Sequence, residues 1–178
     1  MDTNVMAQRL ARVLRFDASV YREIASDQGA MGQAAVVVVI AAILSALGSF
    51  SLGVGAVIVL AIASIVGFAV YSAVATLVSR SLFKGKTDFQ EMGRTLGYAY
   101  AWYGLGVLGL IPFGGVLAWL GQIVAAIAGV IALRESSEFD TVKAVVTVVI
   151  AAVVAGIITV CAAGPVLTAI GLGSAAAQ

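Results

Sequence analysis

Every charged residue of this chain falls into one of three short clusters, Asp2–Asp27, Arg80–Arg94 and Arg134–Lys143; the stretches 28–79, 95–133 and 144–178 carry none. That segregation restricts the fold more than any other feature. A helix crossing a bilayer core about 30 Å thick takes about 20 apolar residues. The first two uncharged stretches are each long enough for two crossings, and the third for one crossing and a tail. The expected fold is therefore all-α, a polytopic membrane bundle of five transmembrane helices with every charge on one side. The spans are expected at about 30–50, 56–78, 96–110, 115–133 and 142–162.

Composition removes the soluble alternative. The chain is 62% hydrophobic and 11% charged, with a mean hydropathy of +1.10, against about 25% charged residues in ordinary soluble domains. A net charge of +1 and the lack of a basic stripe with stacking aromatics give nucleic acid no purchase. There is no histidine and a single cysteine, Cys161, so neither an internal disulfide nor a Cys/His metal site can be assembled. No cofactor is expected. The charges of residues 2–27 leave no room for the apolar core of a cleavable signal peptide, so the first span is expected to serve as an uncleaved anchor.

Two regions follow, 1–28 as an interfacial helix and 29–178 as the membrane domain. Over residues 4–27, Met6, Leu10, Val13, Val20 and Ile24 recur at helical steps except for a gap at Asp17, while Arg9, Arg12, Arg15 and Arg22 take the other surface. This predicts an amphipathic helix that either lies among lipid headgroups or packs on the ends of the spans. Gly48, Gly53 and Gly55 supply one tight turn, and Pro112-Phe113-Gly114-Gly115 another. Between Lys84 and Lys86, Gly85 is expected to break the second helix. Thr87 or Asp88 then caps the next, with Glu91 in its first turn. Gly164-Pro165 is expected to end the fifth span, leaving the fate of the tail 166–178 open.

Lys and Arg confined to the three clusters place those clusters in the cytoplasm, which puts the amino terminus inside and the carboxyl terminus outside. No span contains an ionisable residue of the kind that marks proton or ion pathways. A Ser–His pair is impossible, and deep paired carboxylates are missing. Gly93, Gly97 and Ala101, then Gly104, Gly106 and Gly109, keep the third span slender and suit close helix packing within one bundle or between copies. Gln122, the amide well inside a span, either hydrogen-bonds a neighbouring helix or lines a pore. Lys84, Lys86 and Arg94 join the amino-terminal arginines as candidate contacts for anionic headgroups or protein partners.

The stretch Leu82–Ala99 (LFKGKTDFQEMGRTLGYA), followed by Ile111–Gly115 (IPFGG), resembles the Yip domain family of Ypt/Rab-interacting proteins. The segments Ala132–Glu135 and Thr141–Ala144 and the leader Arg12–Ile24 are similar to the same family, the leader to its prokaryotic members. The resemblance implies five spans in an integral membrane protein, here of a prokaryotic cell (inner) membrane. It makes Gly85, Arg94, Gly97, Tyr98 and Pro112 the positions of interest, each with a structural reason to be there as well. Relatives often carry a proline after the GYA element where this chain has Tyr100-Ala-Trp-Tyr103, so the third span is expected to start straighter. The resulting expectation is a non-enzymatic scaffold, accessory subunit or membrane-organising component acting through lipid and helix contacts, with homo-oligomers or other membrane subunits as partners. The alternatives are a passive channel or carrier for an uncharged or lipidic solute, and an enzyme of the headgroup layer using Asp88, Glu91 and Arg94.

Overall fold

A computed structural model describes residues 2–169, all of whose regular structure is helical. Seven α-helices run in order: α1 Thr3–Val13, α2 Ser19–Ser26, α3 Ala30–Leu47, α4 Val54–Phe83, α5 Phe89–Ala99, α6 Gly114–Ser137 and α7 Thr141–Ala169. Four of them, α3, α4, α6 and α7, are long and apolar enough to cross a membrane.

The amino-terminal segment is two helices rather than one. Asp2 caps α1 by accepting from the amides of Asn4 and Val5. The helix ends at Val13, and the chain reverses through Phe16 at φ 56°. Asp17 then accepts from the amide and hydroxyl of Ser19 and opens α2. The gap in the apolar stripe at Asp17 is thus where the helix breaks, because a short carboxylate that satisfies free amides stabilises a helix start over a helix interior.

The third predicted span differs more. Its first residues belong to α5, whose start is capped by Asp88 accepting from the Glu91 amide at 2.7 Å. At Tyr100 the α-helix gives way to a 3₁₀ helix that continues to Leu110. The segment after the GYA element therefore winds as 3₁₀ rather than as the continuous α-helix that the spacing predicts. Runs of 3₁₀ beyond three or four residues are uncommon, and close packing explains this one. A Cβ at Gly106 would lie 2.8 Å from Ser45 Cα on α3, and one at Gly121 of α6 would lie 2.7 Å from Leu105 Cβ. The α5–3₁₀ unit occupies the middle of the bundle between α3 and α6, while α4 packs on α3 and α7, and α7 closes against α6.

The fifth predicted span also runs further than expected, because α7 passes through Pro165 to Ala169. Proline forfeits one intrahelical bond, that of its missing N–H to the Cys161 carbonyl, and the helix continues past it; one turn on, the Thr168 hydroxyl donates to the Pro165 carbonyl at 2.8 Å. In apolar surroundings no water competes for the remaining backbone groups. Of the tail 166–178, residues 170–178 lie outside the described residues.

Burial runs opposite to a soluble protein. The interior is built largely from small side chains such as Ala34, Ala41, Ala75, Ala128 and Ala151, whereas Ile58, Ile62, Val66, Val149, Val153 and Ile157 face outward. Large apolar residues outside and small ones between the helices are what a lipid solvent selects.

Candidate functional site: the charged end of the bundle

The side chains that carry charge meet at one end, where α1 and α2 fold back over the starts of α3 and α5. Arg9 is their hub and is 6% exposed. Its Nε donates to Glu23 Oε1 at 2.9 Å, and its Nη1 lies 2.8 Å from Asp27 Oδ2 and donates to Gln33 Oε1 at 3.1 Å. The same Gln33 oxygen accepts from the buried Tyr98 hydroxyl at 2.6 Å, while Gln33 Nε2 donates to the Asp2 carbonyl at 3.2 Å. One amide on α3 therefore ties together the amino terminus, the α1–α2 hairpin and α5. Arg12 adds a second tier, with Asp17 Oδ2 at 2.8 Å and Glu23 Oε2 at 2.6 Å.

These contacts set the charge states. Hydrogen bonds from Arg12 and Arg9 hold the Glu23 carboxyl below its usual range, and Arg9 does the same for Asp27. The Ser19 hydroxyl and Arg12 bring Asp17 down to about 2. Burial disfavours the Arg9 charge, yet Glu23 and Asp27 outweigh it and hold the guanidinium above its ordinary value. Burial of Tyr21 pushes its phenol upward. At neutral pH the hairpin is locked by opposite charges whose removal from water is compensated by hydrogen bonds, the condition under which a buried pair holds.

Not every predicted arginine behaves alike. Arg9 and Arg12 point their charges into this network. Arg22 is exposed and pairs with Glu135 of α6, which Arg134 also reaches at 3.1 Å. Arg15 makes no ion pair with a described residue and stands exposed at the hairpin turn between Leu14 and Phe16, which are 48% and 42% exposed. The Phe16 ring stacks on Trp102 of the 3₁₀ segment at 5.2 Å. Arg94 is buried; its Nη2 donates to the Ala25 carbonyl at 2.7 Å and its Nε has no partner among the described residues.

Beside the hairpin lies a polar cleft of about 620 Å³, bounded by α2, the α4–α5 connection and the α6–α7 turn. Lys84 and Lys86 both border it. It is Lys84, not Gly85, that takes the left-handed conformation ending α4, at φ 55°. Gly85 is needed for space: a Cβ there would collide with the Ser79 hydroxyl and come within 2.9 Å of the Phe139 ring.

The remaining predicted positions lie elsewhere. A Cβ at Gly97 would sit 3.0 Å from that of Ala34, so this glycine sets the α3–α5 approach. Pro112 occupies the second position of a turn closed by the Gly114 amide on the Ile111 carbonyl at 2.9 Å. Gln122 borders a cavity of about 160 Å³ framed mainly by apolar residues such as Ala125 and Val148. Tyr71, Tyr100 and Tyr103 line both that cavity and a groove of about 420 Å³ between α4 and α7. Gln122 makes no side-chain hydrogen bond to a described residue, and the surroundings of its amide are not those of a polar pore.

Gln33 is the residue of this network that sequence reasoning passes over, being one polar residue among several within the spans. Its only signal is an amide one turn into an otherwise apolar helix, below a charged cluster that needs an acceptor.

No curated protein and no solved structure matches the chain at the significance required. A family model, the Yip1 domain, matches residues 11–163, which takes in α2 through most of α7, the Lys84–Lys86 connection and the Pro112 turn. With its long apolar helices and that match over most of its length, the chain is an integral membrane protein and belongs to the Yip1 domain family.

Proposed function

We propose that this chain is a five-span, non-enzymatic membrane-organising protein whose charged end faces the cytoplasm and whose α1–α2 hairpin inserts its turn into the cytoplasmic leaflet. The carrying observation is the hairpin itself. It is clamped by Arg9, Gln33 and Tyr98, yet it presents Leu14 and Phe16 outward around Arg15, which makes no ion pair with a described residue. Phe16 stacks on Trp102, a residue of the central membrane segment, which supports placing the turn at the headgroup–acyl boundary. An arginine toward phosphate with apolar residues below it suits that layer.

The fifth span is supplied by the α5–3₁₀ unit. As α-helix, Leu96–Leu110 would rise about 22 Å at 1.5 Å per residue, too short for a bilayer core of about 30 Å. With 3₁₀ geometry from Tyr100 onward, at about 2.0 Å per residue, the same stretch rises about 28 Å. The change of helix type makes a short span long enough. Clustered Lys and Arg then orient the bundle with the amino terminus inside and the carboxyl terminus outside. Arg15 with Arg22, Lys84 and Lys86 are the proposed contacts for anionic headgroups, and small-residue faces not used inside the bundle, such as Gly156, those for other helices.

The experiment is reconstitution into giant vesicles containing anionic lipid at increasing protein density. The wild-type protein is expected to deform the vesicles, and the Leu14→Ser/Phe16→Ser variant to lose most of that effect while retaining its fold. Unchanged bilayer shape with the wild-type protein, together with monomeric behaviour, would overturn the reading.

A further inference from the structure

The α4–α5 connection is built as a strap. Arg80 Nε donates to the Thr87 carbonyl at 3.0 Å, the Gly85 amide donates to the Ser79 carbonyl at 2.9 Å, and Thr87 Oγ1 donates to Ser137 Oγ at 2.8 Å. The Phe83 ring meets Phe139 edge-on at 5.8 Å. Both ends of the strap are thus pinned to α4 and to the α6–α7 turn, and the two lysines it carries border the 620 Å³ cleft. That volume lies within the range of small-molecule sites.

The charges of the cleft sort into satisfied and free. Arg22 is taken up by Glu135, and Lys143 by Asp140 at 3.5 Å. Lys84 and Lys86 make no ion pair with a described residue, and neither do Glu91 and Glu138 on the facing elements. Two free cations and two free carboxylates therefore share one polar cleft without closing on each other. Ser136 Oγ, on the same wall, is buried with no hydrogen-bond partner among the described residues. A polyanion would be attracted by the lysines and repelled by the carboxylates, and a bare amine would meet the reverse. A molecule carrying a phosphoester at one end and a primary ammonium at the other satisfies both pairs.

We infer that this cleft binds an ammonium-bearing phosphodiester of the phosphoethanolamine type, with Lys84 and Lys86 on the phosphate and Glu91 and Glu138 on the ammonium. The source is either a membrane phospholipid or its water-soluble headgroup. The inference shares with the proposed function the cytoplasmic placement of these loops and the use of Lys84 and Lys86 toward phosphate; binding of the soluble headgroup tests it with no bilayer present, apart from the vesicle-shape test of that reading.

The full chain, purified in a maltoside detergent, is titrated calorimetrically with glycerophosphoethanolamine, glycerophosphoglycerol, inorganic phosphate and ethanolamine. Native mass spectrometry with phosphatidylethanolamine and phosphatidylglycerol forms the lipid arm. Saturable binding of glycerophosphoethanolamine is expected, about tenfold tighter than any other soluble probe, since the net gain at each charged end of the ligand is about one decade. Lys84→Gln/Lys86→Gln and Glu91→Gln/Glu138→Gln should each weaken it about tenfold, the second removing the preference over glycerophosphoglycerol. The exposed single variant Lys86→Gln guards against a folding defect in the doubles. Binding of the lipid but not of the soluble headgroup, abolished by the same variants, supports the site and names the bilayer as its source. Equal binding of glycerophosphoglycerol and phosphate, or no saturable binding in either arm, overturns the inference.

Discussion

The two ends of this bundle are held together by different physics. At the charged end, directional contacts converge on Arg9 and Gln33, and every side chain-to-side chain hydrogen bond among the described residues lies there. At the opposite end, around Gly48, Gly106 and Gly109, close backbone approach replaces them: a Cβ at Gly109 would come within 2.7 Å of the Gly48 carbonyl oxygen. The first end needs charges in register, the second needs the absence of atoms. The charged end can thus respond to pH, salt and ligands, while the uncharged end has nothing to titrate.

The largest expected effect comes from Arg9→Met. Removing the guanidinium leaves Glu23, Asp27 and the Gln33 oxygen without their shared donor; the two carboxylates are about 40% exposed and Glu23 keeps Arg12, so water screens part of the loss and the cost is about 2–3 kcal/mol. The loss should be local. Hydrogen exchange is expected to rise over residues 3–26 while α6 and the 3₁₀ segment remain protected; uniform loss of protection would show that the two ends are not separable. Gly106→Val tests the other end. The added carbons have no room beside Ser45 and Gly48, and overpacking of this kind costs about 1–3 kcal/mol. Here exchange should rise in the 3₁₀ segment and the end of α3, with the hairpin unaffected.

Acidification should separate the ends without a mutation. Glu23 and Asp27 titrate lower in the folded protein than their ordinary values of 4.5 and 3.8. Their stabilisation is therefore complete above about pH 5 and fades as pH falls through their depressed folded values. Asp17, lowered to about 2 by the Ser19 hydroxyl and Arg12, contributes with the same sign. Glu91 acts with opposite sign, because burial and Asp88 raise its pKa, so its protonation favours the fold. Hairpin protection against exchange, corrected for the intrinsic rate, should drop as pH falls below about 5 while that of the 3₁₀ segment stays constant.

What the sequence made legible follows the same division. Charge spacing locates α3, α4, α6 and α7 to within a few residues at most ends, and the Asp88 cap with Glu91 in the first turn is local chemistry that can be read directly. The gap at Asp17 marks the hairpin turn, although helical periodicity on either side of it favours one continuous helix. The central segment is illegible for a different reason. Glycines at 104, 106 and 109 signal slenderness, but nothing local distinguishes α from 3₁₀ winding until Ser45, Gly48 and Leu105 come into contact. Gln33 illustrates the limit most plainly. Its partners Arg9 and Tyr98 are 24 and 65 positions away, so only the fold makes it a hub.

The smallest predicted effect lies at the uncharged end, where its sign carries the information. Phe113 is 93% exposed and sits at φ 64°, ψ −1°, a left-handed conformation that costs an L-residue about 1 kcal/mol. Pro112 before it and the Gly114 amide closing the turn fix that backbone. Nothing inside the bundle requires an aromatic ring there. An exposed aromatic at the rim of a membrane bundle gains by partitioning into the interface. Phe113→Gly relieves the backbone and forfeits the partitioning, so its net effect in bilayers should be within about 1 kcal/mol of zero. Phe113→Ala keeps the strain and loses the ring, and should be about 1 kcal/mol less stable than the glycine variant by unfolding in mixed micelles. If alanine and glycine prove equal, the turn stores no strain and the ring needs no compensating role. If glycine is the better tolerated, the aromatic is kept at a backbone cost, and the lipid interface is the physical agent that offsets it.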